Sequence, residues 1–203
     1  MHTEKDLAIE EHDALIVVDV QNDFLSGGAL AVHDGDAVIP VINECMRLAS
    51  AKGIPIYATR DWHPADHCSF AENGGTWPKH CVANSPGAQF AEHLTLPYDV
   101  TVVDKGATSD KDAYSGFQGT DLLDQLHAKG AKRVIVGGLA TDYCVLNTVN
   151  DALANGFDVV VLTRAIRAVN VESGDGDRAI ESMLERGAKV YDGSILADES
   201  RGQ

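Results

Sequence analysis

Three residue types that together perform acyl transfer stand at the ends of apolar runs in this 203-residue chain. Asp19 follows Leu15-Ile16-Val17-Val18, Lys105 follows the run that begins at Val100, and Cys144 follows Gly137-Gly138-Leu139-Ala140-Thr141-Asp142-Tyr143. A sulfur that attacks a carbonyl needs a neighbour to take its proton and later hand it to the leaving nitrogen. Asp19 can do this, with Lys105 stabilising the charged forms. The glycine pair before Cys144 makes a tight turn, and Thr141 or Asp142 is placed to cap the helix that follows, so the sulfur is expected in the first helical turn. Unpaired N–H groups and the positive helix end favour thiolate there and can hold an oxyanion. Each residue alone has an ordinary reading, as a loop cap, a solvated cation or a small buried side chain. Their common position beyond strand ends is what points to a site.

A second group follows the next apolar run. Asp61-Trp62-His63 supplies a carboxylate and an imidazole, and Trp77-Pro78-Lys79-His80 adds another imidazole. One carboxylate and two imidazoles from an irregular segment suit a divalent metal ion, Zn²⁺ first and then Fe²⁺ or Mn²⁺, with further positions open to water or substrate. His67 could be a fourth ligand, a donor that orients a ligand, or neither. Phe24, Trp77 and Tyr114 are candidate substrate-binding walls of a flat apolar pocket between metal and sulfur. Such aromatics otherwise belong to a plain core.

The elements that must position these groups are short β-branched runs at residues 14–20, 54–59, 100–103, 133–136, 158–162 and 188–191. Helical patterns occupy 36–52, 120–129, 142–155 and 177–186, several closing at a glycine. Strands that alternate with helices and are almost uniformly apolar predict an α/β fold. The expected form is a three-layer, Rossmann-like open sheet of about six mainly parallel strands with helices on both faces. Between 60 and 96 the periodicity fails, and prolines with the Gly74-Gly75 pair mark a long irregular loop rich in His, Trp and Cys. Loops of that length in a compact domain carry function or disorder, and this composition argues for function. The chain reads as one domain over 1–203, with polar tails at 1–13 and 197–203 expected to fray.

Composition excludes several partners. Sixteen Lys plus Arg against 31 Asp plus Glu give a formal charge of −15, and no basic run exists for phosphates, so nucleic acid and anionic membrane surfaces are not expected. The acidic surface fits either a salt-adapted protein or an ordinary soluble acidic enzyme. The four cysteines form no CxxC pair, no signal-like leader precedes the first run, and no apolar stretch reaches the roughly 18 residues of a membrane span. A cytoplasmic setting and a small neutral substrate follow as expectations. Homo-oligomerisation stays open.

In family order, Asp19-Val20-Gln21-Asn22-Asp23-Phe24, Asp61-Trp62-His63-Pro64, Trp77-Pro78-Lys79-His80-Cys81, Lys105-Gly106, Tyr114-Ser115-Gly116-Phe117 and Ala140-Thr141-Asp142-Tyr143-Cys144 resemble the nicotinamidase/pyrazinamidase family of isochorismatase-like cysteine hydrolases. The resemblance spans about 15–191. It implies a catalytic triad of Asp19, Lys105 and Cys144, a metal held by Asp61, His63 and His80, and an oxyanion site at the Ala140 and Cys144 N–H groups beside a cis peptide at Leu139–Ala140. It also implies hydrolysis of nicotinamide, with pyrazinamide a further candidate. Two rival readings are an amidase of the same superfamily acting on other small amides or ureas, and a non-catalytic metal- or ligand-binding module.

Overall fold

Runs of β-branched residues become strands covered on both faces, and the computed structural model, which describes residues 6–196, places six of them in one parallel sheet. In chain order the strands are β1 (Asp6–Ala8), β2 (Asp13–Val18), β3 (Ile56–Asp61), β4 (Thr101–Lys105), β5 (Arg133–Leu139), β6 (Asp158–Arg167), β7 (Lys189–Tyr191) and β8 (Ser194–Leu196). The helices are α1 (Val38–Lys52), α2 (Leu122–Ala128), α3 (Leu146–Ala154) and α4 (Asp175–Glu185). The main sheet runs β4-β3-β2-β5-β6-β7, and β1 pairs with β8 in a separate parallel pair. Strand order therefore reverses between β2 and β5, the position at which open α/β sheets leave a crevice for ligands.

Alternation along β2 shows how the layers form. Leu15 and Val17 pack with Val38, Ile42, Cys45 and Ala49 of α1. Ala14, Ile16 and Val18 face the other way, against Leu122 and Leu126 of α2, Val149 and Ala152 of α3 and Met183 of α4. The sheet is thus sandwiched, with α1 on one face and the other three helices opposite, as the sequence pattern predicts. Each fully buried Leu, Ile or Met contributes about 1.5–3 kcal/mol.

Several boundaries differ from the sequence expectation. β3 begins and ends two residues late, so Asp61 is the last residue of a strand rather than the opening of a loop. The segment 1–13 was expected to fray; instead β1 pairs with β8, and Asp13 opens β2, where its carboxylate accepts two hydrogen bonds from Arg133, at 2.7 and 2.6 Å. Residues 1–5 and 197–203 of the expected tails lie outside the described residues. α3 starts at Leu146, because residues Thr141–Val145 form one wider π turn. The segment 62–100 is irregular as expected, holding one 3₁₀ turn at Ala71–Asn73.

At the strand-order reversal β5 runs tight against β2. A Cβ on Gly138 would lie 2.0 Å from the Val18 carbonyl oxygen, and its φ of +131° is closed to other residues. Gly138→Ala is expected to cost at least about 2 kcal/mol and lower the thermal midpoint by several degrees. Calorimetry of the variant checks this; an unchanged midpoint would show that the β2–β5 seam yields.

Candidate active site

Four parallel strands end on the same edge, and each delivers one group. Asp19 is the residue after β2, held in the left-handed region at φ 48° with its N–H donating to the Thr59 carbonyl (3.1 Å). Asp61 closes β3, Lys105 closes β4, and the π turn after β5 carries Cys144. The Lys105 ammonium lies 2.9 Å from Asp19 Oδ2 and 3.4 Å from Cys144 Sγ, and it also donates to Asp61 Oδ1 and to the Ala113 carbonyl (3.3 Å). Asp19, Lys105 and Cys144 therefore meet, as their spacing in the sequence predicts. Asp19 Oδ1 accepts from the Thr59 hydroxyl (2.6 Å). Its Oδ2 forms the ion pair with Lys105, and the carboxylate also lies within reach of the Cys144 thiol.

Burial sets the electrostatics here. Lys105 and Asp19 are almost wholly inaccessible. Burial works against the Lys105 cation, but the Asp19 and Asp61 carboxylates outweigh it and hold its pKa well above the ordinary lysine value. Burial raises Asp19, with Asp61 adding to the shift and Lys105 opposing it. Burial also tends to raise Asp61, yet Lys105 and His63 bring it below the usual carboxylate range. The Cys144 thiol is pushed well above its ordinary value by burial and by both carboxylates, with Lys105 opposing. The helix end favours thiolate at this position, and burial with the two nearby carboxylates acts against it.

The cap was misplaced. Ala140, not Thr141 or Asp142, occupies the N-cap position, and no side chain caps the turn. The Asp142 carboxylate instead accepts from the Val169 N–H (2.9 Å) and the Asn170 N–H (2.8 Å). The Ala140 carbonyl accepts from Tyr143 N–H and Val145 N–H (both 3.1 Å), skipping Cys144, whose N–H an α turn would have engaged there. The Leu139–Ala140 peptide is cis, as the resemblance implies.

Asp61, His63 and His80 converge as well. His63 Nδ1 donates to the Gly106 carbonyl (2.9 Å) and His80 Nδ1 to the Pro78 carbonyl (2.7 Å), so each ring turns its Nε2 lone pair inward. Those nitrogens lie 3.6 and 4.0 Å from Asp61 Oδ2, and the three ligand atoms fit within 4.8 Å of one another. This donor set, buried and preoriented, fits a divalent metal ion. Burial lowers the His80 pKa and so favours the neutral ring a metal requires. At His63 burial acts the same way, but hydrogen bonding and charge from Asp61 outweigh it and raise the pKa.

His67 is not among the converging ligands. Its ring stacks on His63 with centroids 4.0 Å apart, and its two nitrogens are taken by Ser69 Oγ (2.7 Å) and the Lys111 carbonyl (3.1 Å). A pocket of about 440 Å³ opens over these groups, lined by Phe24, Trp77, Tyr114, Tyr143 and Val169 as well as Asp61, His63, His80, Ala140 and Cys144. Trp77 Nε1 donates to Tyr114 Oη (2.9 Å), and Tyr143 stands edge-on to Trp77 at 4.9 Å. Sequence reading missed Tyr143 and Val169, and it missed Gln21, whose buried amide clasps the Asp61 backbone in both directions at 2.8 Å. Gln21 lies two residues from Asp19, so the polar run 19–24 carried the signal.

An isochorismatase domain matches residues 13–194. Nicotinamidase from Escherichia coli (strain K12) is 41% identical, over 91% of this chain and 95% of that protein. Pyrazinamidase of Pyrococcus horikoshii in complex with zinc superposes with a TM-score of 0.85 at 50% identity, covering 88% of this chain and 98% of the other. PnC1 from L. infantum in complex with nicotinate superposes with a TM-score of 0.86 at 36% identity, covering 95% and 100%. With the match running from β2 into β8 and relatives aligned along most of both chains, the chain belongs to the isochorismatase family.

Proposed function

We propose that this protein hydrolyses nicotinamide to nicotinate and ammonia through a thioester on Cys144. The observation that carries the reading is that Cys144, backed by the buried Lys105–Asp19 pair, lines the same pocket as Asp61, His63 and His80. The relatives add support: one is a nicotinamidase, one solved structure is in complex with nicotinate, and another is a pyrazinamidase in complex with zinc. Asp61, His63 and His80 would hold the metal, Zn²⁺ by preference, which when bound supplies an electrophilic anchor for a pyridine nitrogen. The free thiols suit a reducing, cytoplasmic setting. Among the described residues no helix is long and apolar enough to cross a membrane.

The steps follow from the positions of the chain's own groups. The ring lies between Phe24 and Trp77 and brings the carboxamide carbon to the Cys144 sulfur. As the C–S bond forms, the thiol proton passes to the Asp19 carboxylate, so the raised thiol pKa is overcome only when the nucleophile is used. The oxyanion is received by the Ala140 and Cys144 N–H groups, each typically worth about 3–4 kcal/mol of barrier. The C–N bond then breaks and the proton on Asp19 leaves with nitrogen as ammonia. Water attacks the thioester, gives its proton to Asp19, and the expelled sulfur recovers it as nicotinate departs. Lys105 keeps the Asp19 carboxylate oriented throughout and offsets negative charge on sulfur.

Cys144→Ala is expected to reduce ammonia release from nicotinamide by at least about 10⁴-fold while circular dichroism and metal content stay at wild-type values; appreciable turnover would rule out the covalent route. Asp19→Asn should lower kcat by about 10²–10⁴-fold, and single-turnover kinetics would exclude its role if acylation kept its rate. His63→Ala should come out of purification depleted in metal by elemental analysis, and a chelator should reduce wild-type turnover until Zn²⁺ is returned. Undiminished metal in that variant would remove His63 from the ligand set. Nicotinamide, pyrazinamide and a small ureido amide assayed side by side should rank both ring amides above the ureido amide, since each carries a ring nitrogen meta to the carboxamide that the metal would hold.

A further inference from the structure

Away from the residues given roles above, the densest unassigned convergence centres on Asp23. Its Oδ2 accepts from the Cys81 N–H at 2.7 Å and its Oδ1 from the Ala29 N–H at 3.3 Å. Its own N–H donates to the Gly87 carbonyl (3.0 Å), and its carbonyl accepts from the Leu30 N–H (2.9 Å). Gly87 lies directly against the carboxylate: a Cβ there would fall 2.1 Å from Oδ2, so the carboxylate rests in a cradle that a side chain at 87 would fill.

What this carboxylate holds is the peptide between His80 and Cys81. Cys81 follows His80, is fully buried and sits in the left-handed region at φ 45°, a conformation a non-glycine residue keeps only where its surroundings impose it. The Cys81 carbonyl accepts from the His63 N–H (3.0 Å), and the His63 carbonyl accepts from the Ala83 N–H (2.8 Å). The distance between the His63 and His80 backbones is therefore set through Cys81. The Cys81 N–H, on the other side of that residue, is gripped by the Asp23 side chain.

We propose that Asp23 is a positioning residue for the metal, fixing the separation of the His63 and His80 rings through the Cys81 amide. The proposal rests on the reading of Asp61, His63 and His80 as ligands. Phe24, the next residue in the chain, has its ring 5.7 Å from that of His80, so the same anchor sets the pocket wall beside the ligand.

The test is Zn²⁺ affinity, measured by competition between a chromogenic chelator and the full-length apoprotein, for the wild type, Asp23→Asn, Gly87→Ala and His80→Ala, with each apoprotein's thermal midpoint recorded. Asp23→Asn and Gly87→Ala are expected to weaken Zn²⁺ binding about 10–100-fold, the range seen when partners of metal ligands are removed. Wild-type affinity in both variants overturns the proposal. So does a loss that vanishes once the folded fraction is corrected for, since Asp23 would then be structural only. Wild-type affinity in His80→Ala defeats the ligand reading instead, which separates the two failures. If Asp23→Asn does not fold, Gly87→Ala decides, because it displaces the carboxylate without removing it.

Discussion

One buried ammonium organises the site. Lys105 is taken out of water at the end of β4, and a lone cation there would be untenable. Asp19 and Asp61 make it tenable from two neighbouring strands, and removing either partner from such a pair typically costs about 3–5 kcal/mol. Two carboxylates stand against one ammonium in this inner cluster, and burial together with those carboxylates pushes the adjacent thiol above its ordinary value. Asp61 has a double allegiance: Oδ1 faces Lys105, and Oδ2 faces His63 and His80. The Asp19–Lys105–Cys144 group and the Asp61–His63–His80 group are thus joined through a single carboxylate, whose backbone Gln21 clamps from β2's side.

The sheet makes that junction possible. Parallel strands place all their carboxyl ends on one edge, and the reversal of strand order between β2 and β5 opens the space that the pocket occupies. The seam must nevertheless be tight below the pocket, which Gly138 allows, and must open above it, which the π turn at Thr141–Val145 achieves by widening the chain where the sulfur emerges.

The fold class and the meeting of the reacting groups were legible in the sequence because both depend on local signals. Apolar runs of four to seven residues between helical periods imply parallel strands, and strand-end polar residues imply a shared edge. Interactions that are not local were illegible. Nothing in the run 19–24 says that Asp23 reaches Cys81, 58 residues away, or that Gln21 clasps Asp61 rather than solvent. The capping expectation failed for a related reason: Asp142 has a cap's chemistry, but two backbone amides near Val169 compete for it and win. A helix end that favours thiolate can be read from sequence, while the desolvation of a particular sulfur cannot.

Lys105 belongs to β4, and β4 is one of the two edge strands of the sheet, paired on one side only and showing Val102 to solvent. Rim strands open at lower free energy than central ones. A transient peeling of this margin would carry the ammonium away from both carboxylates while β2, β5 and β6 kept their pairing, leaving a folded but chemically silent molecule. The endurance of the enzyme under heat or denaturant is in that sense a property of its periphery, and mutations far from any substrate, along the outer side of β4, have direct access to it.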